Sequence, residues 1–141
     1  MSGLSAFMAE NVAKGEIVKV VVSPRFVDNG KPIEWEIRAL TAGEDEAIRK
    51  SCTRRVPVPG KKGAFTQETD FDKYLGKLAV ACVQYPNLND AALQDSYKAM
   101  GADELLKKML LPGEYAELLR KVQEINGFEL GMDELVEEVK N

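Results

Sequence analysis

The chain has 141 residues, of which 45% are hydrophobic and 30% charged, and its formal net charge at pH 7 is −4. This balance is typical of a folded globular protein and excludes a disordered chain, which would be poorer in apolar residues. The sequence contains no histidine, which excludes His-based triads, Cys–His nucleophile pairs and His-ligated metal sites.

Residues 1–40 are predicted to form a short helix and then an antiparallel β-hairpin. The short helix spans residues 4–14, and the apolar positions on one of its faces are Leu4, Phe7 and Met8. β-Branched residues dominate positions 17–22, whereas positions 33–39 alternate between apolar and polar side chains. The sequence Asp-Asn-Gly-Lys at 28–31 predicts the turn between the two strands, because Asn and Gly tolerate positive φ.

After residue 40 the apolar period changes from two residues to that of a helix, so residues 41–141 are predicted to be mainly helical. Thr41 and Glu44 form a capping box that begins the first of these helices, which ends near residue 52. Residues 53–67 are predicted to be an irregular basic loop, because their two prolines and two glycines exclude a helix.

Apolar residues at spacings of three and four predict further helices in the rest of the chain. The next helix is capped by Thr69 with Asp72 and runs to Tyr85. Three more helices begin at Asn87 or Asn89, at residue 102 and at Pro112, and the last helix covers 132–140. Because the strands are segregated from the helices, the sequence predicts an α+β fold. It is a single domain over residues 1–141, an N-terminal antiparallel β-hairpin followed by a predominantly α-helical bundle.

The predicted loop supplies one group of candidate partner-binding residues: Arg54, Arg55, Lys61 and Lys62. Such a basic cluster can contact phosphate or an acidic partner, and a solvated loop is the alternative interpretation. Residues 101–141 hold ten acidic and five basic side chains. This acidic third of the chain argues against a nucleic-acid-binding protein, which usually has a basic face.

A Leu- and Met-rich helix supplies the other group of candidate partner-binding residues: Leu105, Leu106, Met109, Leu110 and Leu111. Apolar side chains at this spacing suit the binding of a partner helix, and packing in the protein's own core is the alternative. Trp35 lies in the second strand between Ile33 and Ile37 and is interpreted as a core residue rather than a binding residue.

The sequence predicts no catalytic residue, no metal site and no cofactor. Cys52 and Cys82 form no metal-binding spacing and are interpreted as buried free thiols, because both lie in apolar helical patterns, and a disulfide is the alternative. Adjacent carboxylates such as Asp103 and Glu104 lie on polar helix faces and are interpreted as solvated. Glycine-rich nucleotide loops are absent, as are an apolar run of about 18 residues and the pattern of a signal peptide.

Seven stretches, in order along nearly the whole chain, resemble the XkdN-like phage tail assembly chaperones of tailed phages and prophages. They are LSAFMAEN (4–11), PIEWEIR (32–38), RKSCTRRVPVPG (49–60), DKYL (72–75), YPNLND (85–90), LQDSY (93–97) and MLLPGEY (109–115). None of these stretches is a catalytic motif. The resemblance supplies no agreed set of contact residues, so none is transferred to this chain.

The resemblance implies a non-enzymatic protein that binds the tape measure protein, which sets tail length. The chaperone keeps the apolar helical segments of that client soluble until tail tube subunits assemble around it. The resemblance also implies a location in the host bacterial cytoplasm and absence from the mature virion, with no nucleic acid or membrane partner. The tail tube protein and a second copy of the chain are further candidate partners.

On this interpretation the client docks on apolar helical surface around residues 102–125, and the 53–67 loop becomes ordered on binding. Three other functions are open. A structural tail component, such as a connector or completion protein, would remain in purified particles. A DNA-binding domain would need a basic recognition helix, which is not found, and an enzyme would need a cleft with converging carboxylates.

Overall fold

The computed structural model describes residues 3–12 and 17–128, which form an α+β fold. The strands are β1 (Val18–Val20), β2 (Val27–Asp28), β3 (Lys31–Pro32), β4 (Trp35–Ile37), β5 (Thr53–Pro57), β6 (Phe65–Thr69) and β7 (Val83–Tyr85). The helices are α1 (Ala42–Ser51), α2 (Phe71–Cys82), α3 (Ala91–Ser96), α4 (Ala102–Met109) and α5 (Pro112–Ile125).

β1, β4 and β7 form a three-stranded antiparallel sheet in that order. Between β1 and β4, the short strands β2 and β3 flank a turn at Asn29 and Gly30, whose φ angles are 53° and 77°. These are the positive values that the Asn-Gly sequence accommodates. The register places Lys19 opposite Glu36, a favourable cross-strand neighbour on the polar face.

The third strand of this sheet, β7, corrects one prediction. The sequence predicts a helix that runs to Tyr85 and therefore includes the residues of β7. The helix instead ends at Cys82, and Val83 pairs with Ile37 of β4. The carbonyl of Cys82 also accepts a hydrogen bond from the backbone N–H of Arg38 at 2.9 Å. Pairing with β4 therefore satisfies the backbone groups of this strand. An apolar sequence pattern cannot reveal such pairing.

The prediction of an irregular loop at 53–67 is wrong, because β5 and β6 pair as an antiparallel hairpin. The residues that exclude a helix are compatible with this arrangement. Pro57 is the last residue of β5, and Gly60 and Gly63 lie in the connecting turn with φ of 79° and 80°. Proline and glycine at a strand end and in a turn are therefore consistent with a hairpin.

The capping box of α1 is confirmed: Thr41 Oγ1 accepts from the N–H of Glu44, and Glu44 Oε1 accepts from the N–H of Thr41. Two other predicted caps are displaced along the chain. Asp70, rather than Thr69 with Asp72, caps α2, and Asp90, rather than an asparagine, caps α3. Aspartate carboxylates accept the orphan N–H groups of a first helical turn in the same way.

The helix predicted from Pro112 is confirmed as α5, with Asn126 at its C-terminal cap. Gly101 precedes α4 as its N-cap with φ 100°. At the other end of the chain, where the structure describes residues 3–12, the predicted helix is replaced by a 3₁₀ turn at Gly3–Phe7. The helix predicted at 132–140 lies outside the described residues.

One cluster of buried apolar side chains joins the sheet to the helices, and α2 contacts α1, α4 and α5. Trp35 is buried in this cluster, as predicted, with its ring centroid 6.2 Å from that of Phe26. Cys52 and Cys82 are also buried and free, which confirms their interpretation as core thiols. The apolar faces of the helices and of β4 therefore share a single interior.

Two side chains tie the β-rich N-terminal part to the last helices. Arg25 donates at 2.7 Å to the carbonyl of Met109 and at 2.8 Å to a carboxylate oxygen of Glu114. Asn126 accepts at 2.8 Å from the N–H of Leu40 and donates to the carbonyl of Val122. Both ties join residues more than eighty positions apart, so they form only when the tertiary fold is complete.

The tie at Arg25 gives a pH dependence. The hydrogen bond from Arg25 lowers the pKa of Glu114 from 4.5 to about 2. Because this pKa is lower in the folded than in the unfolded state, the stabilisation is complete above about pH 5 and is lost as the pH falls towards 2. We therefore expect thermal unfolding, followed by circular dichroism from pH 6 to pH 3, to show a smaller decrease in Tm for Glu114→Gln than for the wild-type chain.

The control is Glu34→Gln, which removes an exposed carboxylate from the connection between β3 and β4, distant in sequence from α5. This variant should keep the wild-type pH dependence. Equal slopes for Glu114→Gln and the wild-type chain would contradict the assignment to the Arg25 contact.

Candidate protein-binding surfaces

The structure places four of the five predicted apolar docking residues in the core. Leu105, Leu106, Met109 and Leu110 are all buried, and α4 contacts α2 through this side. Only Leu111, at the start of α5, is exposed, with 54% of its surface accessible. In this conformation a partner cannot contact the four buried side chains. These residues of α4 therefore follow the alternative interpretation, which is packing in the protein's own core.

The predicted basic residues are brought together on the β5–β6 hairpin, and we call residues 53–69 the basic hairpin. Arg54 and Arg55 lie on β5, whereas Lys61 and Lys62 lie in the turn, and all four side chains are exposed. With Glu68 as the one acidic residue, the segment carries a net charge of +3 (four basic, one acidic). The rest of the chain is correspondingly acidic, so this charge is local.

The arginines of the basic hairpin differ from the other arginines of the described residues, which all form ion pairs. Within residues 3–12 and 17–128, none of the hairpin's four basic residues forms an ion pair, whereas Arg25, Arg38 and Arg120 each do. The guanidinium of Arg55 instead lies over the ring of Phe65, with its central carbon 4.2 Å from the ring centroid. This cation–π contact holds Arg55 against the strand and leaves its charge available to a partner.

An uncovered apolar segment lies at the N-terminus, and we call residues 4–12 the apolar segment. Leu4 and Phe7 are 76% and 79% exposed, and Met8 and Val12 are also exposed. Local hydrogen bonds hold the segment together, including one of 2.8 Å from the side chain of Asn11 to the carbonyl of Ser5. The sequence predicts Leu4, Phe7 and Met8 on one face of a short helix, but it does not show whether these side chains are covered.

The hollows on the described surface are shallow. One of about 400 Å³ lies between α1 and α2, beside Ile48, Lys77 and Val80. Another of about 240 Å³ lies at the base of the basic hairpin, beside Arg54 and Phe71. Across the described ranges, no three acidic or cysteine side chains are grouped so that they could hold a metal ion.

Neither cysteine is placed for nucleophilic chemistry. Burial raises the pKa of the Cys82 thiol, while a hydrogen bond from Asn126 partly opposes this shift. The neutral thiol is a poor nucleophile, so this residue acts as part of the core. Within the same described ranges, no helix combines the length and the apolar character needed to cross a membrane.

Comparisons with known proteins relate the chain to two proteins of one bacterium. The chain is 33% identical to the phage-like element PBSX protein XkdN of Bacillus subtilis (strain 168) over 140 residues, covering 98% of this chain and 93% of that protein. It is 34% identical over 140 residues, with the same coverage, to the uncharacterized protein YqbN of that strain.

The fold is also found in a solved structure. The crystal structure of the protein YqbN superposes with a TM-score of 0.77 at 30% identity, covering 92% of this chain and 99% of that one. Residues 4–140 match the phage XkdN-like tail assembly chaperone family, which is nearly the entire length. The chain therefore belongs to the phage XkdN-like tail assembly chaperone family.

Proposed function

We propose that the protein binds the tape measure protein during tail assembly and keeps it soluble until the tail tube forms around it. The observation that carries this proposal is the apolar segment, with Leu4 and Phe7 exposed. Exposed apolar clusters of this kind are typical of protein interaction sites. Membership in a tail assembly chaperone family supplies the biological setting.

This activity requires reversible contact and no covalent chemistry. Apolar surface on the chaperone covers apolar helical surface on the client and lowers its tendency to aggregate. The acidic charge of the chain keeps the complex soluble. On this proposal the protein acts in the host cytoplasm, leaves before the virion is complete and catalyses no reaction, and the tail tube protein is a second partner.

Capture of the client tests the proposal. The tape measure protein of the same phage is co-expressed with the tagged chain, and the amount recovered in the soluble pull-down is measured. Burying one Leu or Phe side chain in an interface contributes about 1.5–3 kcal/mol, and about 1.4 kcal/mol is a tenfold change in affinity. We therefore expect the double variant Leu4→Ser with Phe7→Ser to lose client affinity by at least about tenfold.

The matched control is Met100→Ser with Leu111→Ser, which removes two exposed apolar side chains elsewhere on the surface. This control should capture the client as the wild-type chain does. If the two double variants retain the client equally well, the apolar segment is not the binding surface. If the wild-type chain fails to increase the soluble fraction of the tape measure protein, the proposed function is wrong.

A further inference from the structure

The outer edge of β6 presents unpaired backbone groups. The backbone N–H of Val58 donates to the carbonyl of Ala64, and the backbone N–H of Asp70 donates to the carbonyl of Cys52. These two bonds lie at the two ends of the β5–β6 pairing and show which opposite residues are hydrogen-bonded pairs. Because bonded pairs alternate along an antiparallel ladder, the backbone groups of Phe65, Gln67 and Thr69 point away from β5. The sheet has two strands, so no described strand pairs with this edge.

The two edges of the basic hairpin are protected differently. On β5, the outward-pointing residues include Arg55, which is charged, and Pro57, which has no N–H. Charge and proline are the usual means by which an edge strand avoids pairing with another chain. On β6, the outward-pointing residues are Phe65, Gln67 and Thr69, all neutral and all able to donate and accept. The structure therefore leaves β6 as the open edge.

We propose that the β6 edge pairs antiparallel with the β6 edge of a second copy of this chain, around a two-fold axis at Gln67. The strand reads Phe-Thr-Gln-Glu-Thr, so Gln67 is its central residue. A two-fold axis there places Phe65 of one copy opposite Thr69 of the second copy, and the two Gln67 residues opposite each other. These are the outward-pointing residues, so each pair exchanges two hydrogen bonds, and the two hairpins form one four-stranded sheet.

The charges of the hairpin favour this antiparallel arrangement over a parallel one. Lys62 precedes Gln67 by five positions and Asp72 follows it by five, so the axis brings the turn of each hairpin to the base of the other. Lys61 and Lys62 of one copy then lie near Asp70 and Asp72 of the second copy. The arginines of β5 lie on the two outer strands of the four-stranded sheet, so Arg55 of one copy is three strand spacings, roughly 14 Å, from Arg55 of the second copy.

The proposed contact is small and therefore reversible. Each copy contributes five strand residues, which is less than the surface that stable dimers usually bury. Opposite charges at the two ends make the association sensitive to salt. The proposal rests on the described hairpin alone and does not depend on the binding of a tape measure protein.

Sedimentation velocity on the full chain tests the proposal over increasing protein concentration at low and high salt. We expect a monomer–dimer equilibrium that shifts towards dimer with concentration and towards monomer with salt. Gln67→Pro removes an outward N–H of β6 that the hairpin itself does not use, and should weaken dimerisation at least about tenfold. The matched control Arg55→Pro removes the corresponding N–H of β5 and should still dimerise.

A charge-swap pair separates loss of the contact from loss of the fold. Gln67→Lys places two like charges opposite each other on the axis, each also opposite Arg55 of its own hairpin, and should be monomeric with an unchanged circular dichroism spectrum. Mixing it in equal amounts with Gln67→Glu should restore the dimer. A wild-type chain that remains monomeric at all concentrations, a dimer that Gln67→Pro does not weaken, or a Gln67→Lys chain that the mixture does not rescue would overturn the proposal.

Discussion

Replacing Trp35 by alanine is expected to lower the free energy of unfolding by about 3–5 kcal/mol, the cost of emptying a buried aromatic site. Trp35 lies in the central strand β4, faces the helices and is almost fully buried. Its ring also packs near that of Phe26. Loss of the indole therefore removes the contact between the sheet and the helices at its centre.

Urea denaturation followed by far-UV circular dichroism measures this effect, since Trp35 is the only tryptophan and its own fluorescence is lost in the variant. Tyr85→Ala is the matched control, because Tyr85 lies in the neighbouring strand of the same sheet with its side chain exposed. The control should change the free energy of unfolding by about 0.5 kcal/mol or less. A loss below about 1 kcal/mol for Trp35→Ala would contradict the packing of β4 described above.

Leu106→Ala is expected to lower the free energy of unfolding by about 2–5 kcal/mol. Leu106 lies in α4 with its side chain fully buried, so alanine leaves a cavity between this helix and the core. Leu111→Ala, two residues beyond α4 at an exposed position, should stay within about 0.5 kcal/mol of the wild-type chain. Trp35 fluorescence during urea unfolding follows both variants.

This pair of variants distinguishes a core residue from a docking residue. A docking residue would lower client capture when replaced and would leave the unfolding transition in place. Equal free energies of unfolding for Leu106→Ala and the wild-type chain would show that α4 does not pack as the structure describes.

The features that could be predicted from the sequence are those whose causes are local. The helix α1 begins at Thr41 because a hydroxyl and a carboxylate three residues apart satisfy each other's neighbouring N–H groups. The helix α5 begins at Pro112 because proline has no N–H to lose in a first turn. The turn at Asn29 and Gly30 is equally local.

The features that could not be predicted depend on pairing with distant residues. β7 is only three residues long and continues the apolar pattern of α2, so its period could not distinguish a strand from a helix. The β5–β6 hairpin was obscured by prolines and basic residues, which are also common in loops. In both places the ladder of hydrogen bonds, rather than local propensity, decides the structure.

The candidate surfaces show a related limit. The spacing of Leu105, Leu106 and Met109 predicted an apolar face, but a pattern does not say whether that face meets the core or a partner. Only the packing of α4 against α2 decides the question. Leu4 and Phe7 have the same kind of pattern with the opposite outcome, because no described element covers them.

The burial of both native sulfhydryl groups has a practical consequence for biophysical work. Cys52 and Cys82 lie inside the folded chain, so a maleimide dye added under native conditions has little access to either. A cysteine introduced at Met100, the most exposed large apolar side chain among the described residues, becomes the preferred point of attachment. Fluorophores or spin labels can therefore be placed on the natural sequence without first removing its own cysteines.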